Sequence, residues 1–140
     1  MEKEMKNKLK NLILILGVVF FSFTVFIACP SVNTFRIITS QEAYDMMNNL
    51  ENLTILDVRT ASEFRQERIE YAINVPYNTI AQWVENQLVN ENITRYTTIL
   101  VYCQSGRRSR IASQRLVELD FINVYDFGGI TDWPFETISG

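Results

Sequence analysis

Residues 98–102, Thr98-Ile99-Leu100-Val101-Tyr102, form an unbroken apolar run that stops at Cys103 and gives way to Gln104-Ser105-Gly106-Arg107-Arg108-Ser109. A run this short, β-branched and without polar alternation, reads as a strand buried on both faces. Such strands belong to parallel sheets, whose crossover connections are usually helices that cover the sheet. The chain must then supply more strands alternating with helices, and it does. Residues 35–38, 54–58, 72–75 and 123–125 are further short strand candidates. Thr39 with Glu42, and Thr60 with Glu63, have capping-box spacing and predict helices beginning there, the first running to about Asn49. Ile80, Trp83, Val84 and Leu88 form a helical stripe within residues 79–89. Residues 109–119 read as a helix with Ile111, Ala112, Leu116 and Leu119 inward, and Gly128-Gly129 as a turn. The fold class expected is α/β, a parallel sheet with helices on both faces.

The N-terminus is of another kind. Lys3, Lys6, Lys8 and Lys10 precede a nearly unbroken apolar run over residues 12–28, which closes on Ala28-Cys29. A positive start, a greasy middle and a small-residue exit is the pattern of a signal peptide. The run is also at the short edge of what spans a bilayer. Ala28-Cys29 resembles the lipobox of bacterial lipoproteins, which implies lipidation of Cys29. An uncleaved anchor or ordinary secretion is the alternative. Residues 1–28 are therefore expected to be a signal peptide or membrane anchor, 29–35 a tether and 36–140 the folded domain. Each alternative makes the protein exported, and the lipidated or anchored forms are membrane-attached on the periplasmic or cell-surface side.

Charge and composition exclude several function classes. All four lysines lie in residues 1–10, and from Cys29 onward nine arginines face fourteen acidic residues, a net charge of −5. An acidic domain is a poor partner for nucleic acid, which needs a basic face. The chain has no histidine and two cysteines, so a histidine-activated nucleophile is impossible and no metal site is expected.

Cys103 lies where α/β sheets carry their ligands, at the carboxyl end of a strand. Gly106 lets the backbone bend so that successive N–H groups converge, the following helix adds its positive end, and Arg107 and Arg108 add full charges. Each favours the thiolate, the reactive form of cysteine.

This loop resembles the active-site loop of the rhodanese family, often Cys-Arg-Ser-Gly-x-Arg-Ser. Leu56-Asp57-Val58-Arg59 with Glu63 and Phe64, then Ala72-Ile73-Asn74-Val75-Pro76, then Gly128-Gly129-Ile130 with Trp133, resemble further segments of the family in the same order. The resemblance covers about residues 36–135. It implies a five-stranded parallel sheet between helices, with Cys103 as a catalytic nucleophile that carries sulfane sulfur as a persulfide. It further implies a small sulfur donor such as thiosulfate, a cyanide, thiol or protein acceptor, and no cofactor. Gln104, Ser105, Gly106, Arg107 and Arg108 would then bind substrate. Arg59 and Glu63, four residues apart, are expected to pair across a helical turn as structural support, with Asp57 anchoring loop N–H groups.

Two departures from the family pattern stand out. Glu67-Arg68-Ile69-Glu70-Tyr71 replaces a stretch that often contains two glycines, a histidine and a proline, which predicts a reshaped turn. Gln104 stands where arginine is common, which weakens the positive field for an anionic donor. The competing functions are a phosphatase or arsenate reductase of the same general fold, a non-catalytic exported binding module, and a thiol-redox role. Against the first, Arg108 is the fifth residue after the cysteine, whereas phosphate-cleaving loops place arginine sixth. Against the last, no second cysteine lies near Cys103 in sequence.

Overall fold

The computed structural model describes residues 1, 3–8, 10–11 and 34–140. The chain divides into two compact units, Met1–Val32 and Asn33–Gly140. In the first, residues 3–8 and 10–11 are helical. The apolar run at 12–28, Cys29 and most of the expected tether lie outside the described residues. Among the described residues no helix is long and apolar enough to cross a membrane.

In the second unit the elements are β1 (Arg36–Ile37), α1 (Ser40–Asn49), β2 (Leu53–Asp57), α2 (Ala61–Gln66), β3 (Ile73–Asn74), α3 (Ile80–Val89), β4 (Thr98–Cys103), α4 (Arg107–Glu118) and β5 (Val124–Gly129). Short 3-10 turns at Tyr77–Thr79 and Ile130–Asp132 complete the path. The five strands form one sheet in the order β1-β5-β4-β2-β3. Every pairing is parallel. Both capping boxes form: each threonine side chain accepts from the glutamate N–H three residues on, and that glutamate accepts from the threonine N–H.

The alternation of side chains along β4 divides the core in two. Ile99, Val101 and Cys103 join Leu56, Val58 and Val124 beneath α3 and α4, which contribute Ile80, Val84, Ala112 and Leu116. Leu100 and Tyr102 face the other side, with Ile55, Phe127, Trp133 and Ala43 of α1. Burying each large apolar side chain stabilises by roughly 1.5–3 kcal/mol, so β4, buried from Ile99 to Cys103, anchors both layers.

Several expectations are corrected. Gly128-Gly129 is not a free turn but the end of β5, which runs on past Tyr125, with Gly129 opposite Cys103. Ile111 is 46% exposed, and the inner face of α4 instead buries Ser109 and Ser113 beside Ala112 and Leu116. The helix begins at Arg107, two residues before the expected start at Ser109. Strand β3 is only two residues long: Val75 N–H still bonds Asp57 O at 2.9 Å, but Pro76 follows with no N–H to continue the ladder.

Candidate active site

Cys103 ends β4, and its side chain is 1% exposed. The chain then turns sharply through Gly106, whose φ of +91° is open to glycine without strain. This turn aims backbone N–H groups back at the sulfur. Gly106 N–H donates to Cys103 Sγ at 3.1 Å. Burial alone would push the thiol up. The N–H groups of Ser109 and Ser105, the Ser109 hydroxyl and the Gly106 N–H outweigh it, and the pKa lies below that of an ordinary thiol. Of the loop amides expected to surround the sulfur, Gly106 N–H lies within hydrogen-bond distance of it.

The loop is fastened from behind. Gln104 O accepts from the Thr131 hydroxyl at 2.9 Å and from Thr131 N–H at 3.3 Å. Gly129 passes so close that a Cβ there would lie 2.4 Å from Gln104 O, so only glycine fits without moving the loop. The Ser109 hydroxyl has Gly106 O at 3.0 Å and Gly128 O at 3.3 Å as acceptors. Ser109 belongs to the site although the sequence reading did not assign it there. Its signal was a serine in the first inward-facing turn of the helix. Asp126 was also missed. It is 2% exposed, its Oδ1 accepts Gly128 N–H at 3.0 Å, and burial raises its pKa.

The charged supports pair differently from the expectation. Arg59 and Glu63 do not pair across the turn. Arg59 folds back, and its Nη2 meets Asp57 Oδ2 at 2.6 Å and Glu67 O at 2.5 Å. Its Nε donates to both Asp57 oxygens at 3.0 Å. Asp57 thus anchors the Arg59 side chain, and its Oδ1 accepts the loop N–H of Arg59 at 2.9 Å, as expected of a carboxylate at this strand end. Arg59 Nη1 also donates to Gln104 Oε1 at 3.2 Å. The Gln104 side chain is therefore committed inward. Glu63 instead takes Arg108 in a bidentate pair, 2.6 Å to Oε1 and 2.9 Å to Oε2. The hydrogen bonds from Arg108, aided by those from Thr60, hold Glu63 down to about 2 against opposing desolvation. Arg107 is exposed, and Ser105 sits exposed beside it.

The replaced stretch keeps a left-handed turn without glycine: Tyr71 has φ +62°. No cluster of His, Cys, Asp or Glu among the described residues could hold a metal.

A parallel α/β sheet with a thiol held among loop amides, at the carboxyl end of a central strand, defines the class: a cysteine-loop domain built to favour thiolate. The rhodanese-like domain model matches residues 39–135, and the chain belongs to that family. It is 29% identical over 85 residues to thiosulfate sulfurtransferase PspE of Escherichia coli K12, covering 61% of this chain and 78% of PspE. It is 31% identical over 101 residues to thiosulfate sulfurtransferase GlpE of Glaesserella parasuis, covering 71% and 87%. An E. coli rhodanese solved with anions superposes with a TM-score of 0.54 at 28% identity, over 62% of this chain and 98% of that one.

Proposed function

We propose that the protein is a sulfurtransferase that carries sulfane sulfur as a persulfide on Cys103. The observation that carries this reading is the placement of Cys103 Sγ at the carboxyl end of β4, where the N–H of Gly106 in the turn into α4 donates to it at 3.1 Å, and the thiol's pKa lies below that of an ordinary thiol. The thiolate attacks the outer sulfur of a donor such as thiosulfate. A new S–S bond forms to Cys103, the donor's S–S bond breaks, and sulfite leaves with the electron pair. Cyanide or a thiolate then attacks the terminal sulfur, and Cys103 leaves as thiolate. No net electrons are needed, and the same loop N–H groups that hold the thiolate stabilise the anionic persulfide. The names of the relatives support a sulfane donor. Against phosphatase chemistry, Arg108 stands fifth after Cys103, one residue short of the place phosphate-cleaving loops give their arginine.

The test is intact mass after thiosulfate exposure. A single-sulfur adduct is expected on wild type and absent from Cys103→Ser. An adduct that survives this substitution moves the carrier elsewhere, and no adduct from thiosulfate, polysulfide or a small persulfide removes the reading.

For the N-terminus we infer export and attachment through Cys29. The support is the lysine-led apolar run closing on Ala28-Cys29. Cys29→Ser should abolish incorporation of labelled fatty acid. Unchanged processing and membrane fractionation would instead favour a spanning anchor.

A further inference from the structure

A cavity of about 810 Å³ opens on the sheet face that carries α1. No residue of the cysteine loop lines it. It draws on the amino-terminal half of β2, on Ile69–Tyr71, on α1 and on the segment after Trp133, whereas Cys103 lies at the carboxyl ends of the strands beneath α4. The volume falls within the range of small-molecule sites, about 300–1,000 Å³.

Its wall is aromatic. Tyr44 stacks on Phe135 with centroids 3.9 Å apart and planes at 13°, and Trp133 stands edge-on to Phe135 at 5.0 Å. Tyr71 flanks them, 84% exposed. Its left-handed backbone is one that glycine adopts without cost and tyrosine does not. The turn therefore holds a large ring at the cavity at some expense in local stability. Tyr44, Leu50, Tyr71 and Ile73, all large apolar residues left open to solvent, line this one cavity.

The charge has one sign. Glu51, Glu70 and Glu136 line the cavity, and no lysine or arginine does. Among the described residues none of these three carboxylates has an ion pair. Aromatic faces present negative quadrupole to a cation, and carboxylates add to the same field. All three glutamates are exposed, and their summed field disfavours an anion and favours a cation over a neutral molecule of the same shape.

We propose that this cavity binds a hydrophobic organic cation, an ammonium or guanidinium group carried on an aromatic or aliphatic body. The apolar body lies on the Trp133–Phe135–Tyr44 wall with Tyr71 beside it, and the cationic head faces the glutamates. The proposal is independent of sulfur transfer at Cys103.

The experiment titrates the full-length chain, kept in solution with a non-ionic detergent, with benzyltrimethylammonium chloride. Amide and indole N–H resonances report the site. Benzyl alcohol and benzenesulfonate carry the same ring without positive charge. Saturable shifts at the Trp133 indole, Tyr44 and Tyr71 are expected, with both control probes binding about tenfold more weakly or not at all. The triple variant Glu51→Gln, Glu70→Gln, Glu136→Gln should lose about tenfold in affinity, with the rest of its spectrum unchanged. Tyr71→Ala should also weaken binding. Cys103→Ser should bind as wild type does, which separates this site from sulfur chemistry. Equal affinity for benzyl alcohol, shifts centred on residues 103–109, or no saturation by about 10 mM overturns the proposal.

Discussion

Two arginine–carboxylate pairs flank the cysteine loop at the same contact distance and in different media. Arg59–Asp57 and Arg108–Glu63 both close to 2.6 Å, but the first pair is 2% and 0% exposed and the second 22% and 29%. In the first, water cannot replace a lost partner, so each ion exists only because the other does. In the second, water reaches both ions and screens them. The inner pair therefore holds the platform: Arg59 ties the end of β2 to Glu67 O and to Gln104. The outer pair can be altered without collapse and acts on the field around Cys103. Equal distance says little about consequence; burial decides.

The comparison breaks most directly at Asp57. Asp57→Ala leaves the Arg59 guanidinium buried and unpaired, and chemical denaturation should register a loss of about 3–5 kcal/mol. Replacing both partners by apolar residues of similar volume should cost less than the single change, since no charge is then stranded. A single-variant loss under about 1 kcal/mol would put the inner pair in the same class as the outer one.

Glu63→Ala should cost less, about 1–2 kcal/mol, combining a screened ion pair with the lost capping contact to Thr60. Its pH dependence identifies the cause. Glu63 is held down to about 2 by the hydrogen bonds from Arg108, against an ordinary value of 4.5. A depressed carboxyl contributes its stability fully above its unfolded value and loses it as pH falls through the folded one. The gap between wild type and Glu63→Gln should stay level above about pH 5 and close toward pH 2. A gap that persists at pH 2 would point to lost packing instead of lost charge.

Both sets of partners were only half legible in the sequence. Strand and helix positions follow from patterns with a local cause: the β-branched run into Cys103, and the threonine–glutamate capping boxes at Glu42 and Glu63. The approach of Gly106 N–H to the sulfur was legible too, because a cysteine–glycine loop between a buried strand and a helix leaves few other paths. Spacing failed where the deciding contact is long-range. Arg59 and Glu63 have the separation of a helical pair, but Arg59 precedes the helix cap and turns inward, and Arg108 reaches Glu63 from 45 residues away. Gly128-Gly129 reads locally as a turn. Its role appears only when β5 lies beside Cys103 and Gly129 must clear Gln104 O. Ile111 fits the helical stripe, yet α4 packs on its serine face.

The finest test concerns which arginine governs the Cys103 thiolate. Ultraviolet thiolate absorbance, taken as a difference against Cys103→Ser, gives the ionisation midpoint without needing access to a buried sulfur. Arg108 is stabilised in its charged form first by Glu63 and also by Cys103, so it lies within the field of the sulfur. Arg108→Ala removes a cation and leaves Glu63 an unbalanced anion, and both effects raise the midpoint. Glu63→Gln frees the Arg108 charge and should lower it by less, because the loop amides already supply most of the stabilisation. The double variant removes two opposite fields together and should fall between the two single variants, close to wild type. Arg107→Ala should move it least, since that side chain lies in solvent, where charge is screened. In all four proteins the midpoint should remain below that of an ordinary thiol, because the N–H groups of Ser109, Ser105 and Gly106 and the Ser109 hydroxyl are untouched. A midpoint at the ordinary value in Arg108→Ala would transfer the main role from backbone to side chain. A larger shift from Arg107 than from Arg108 would make Arg107, not the outer pair, the main side-chain influence on the sulfur.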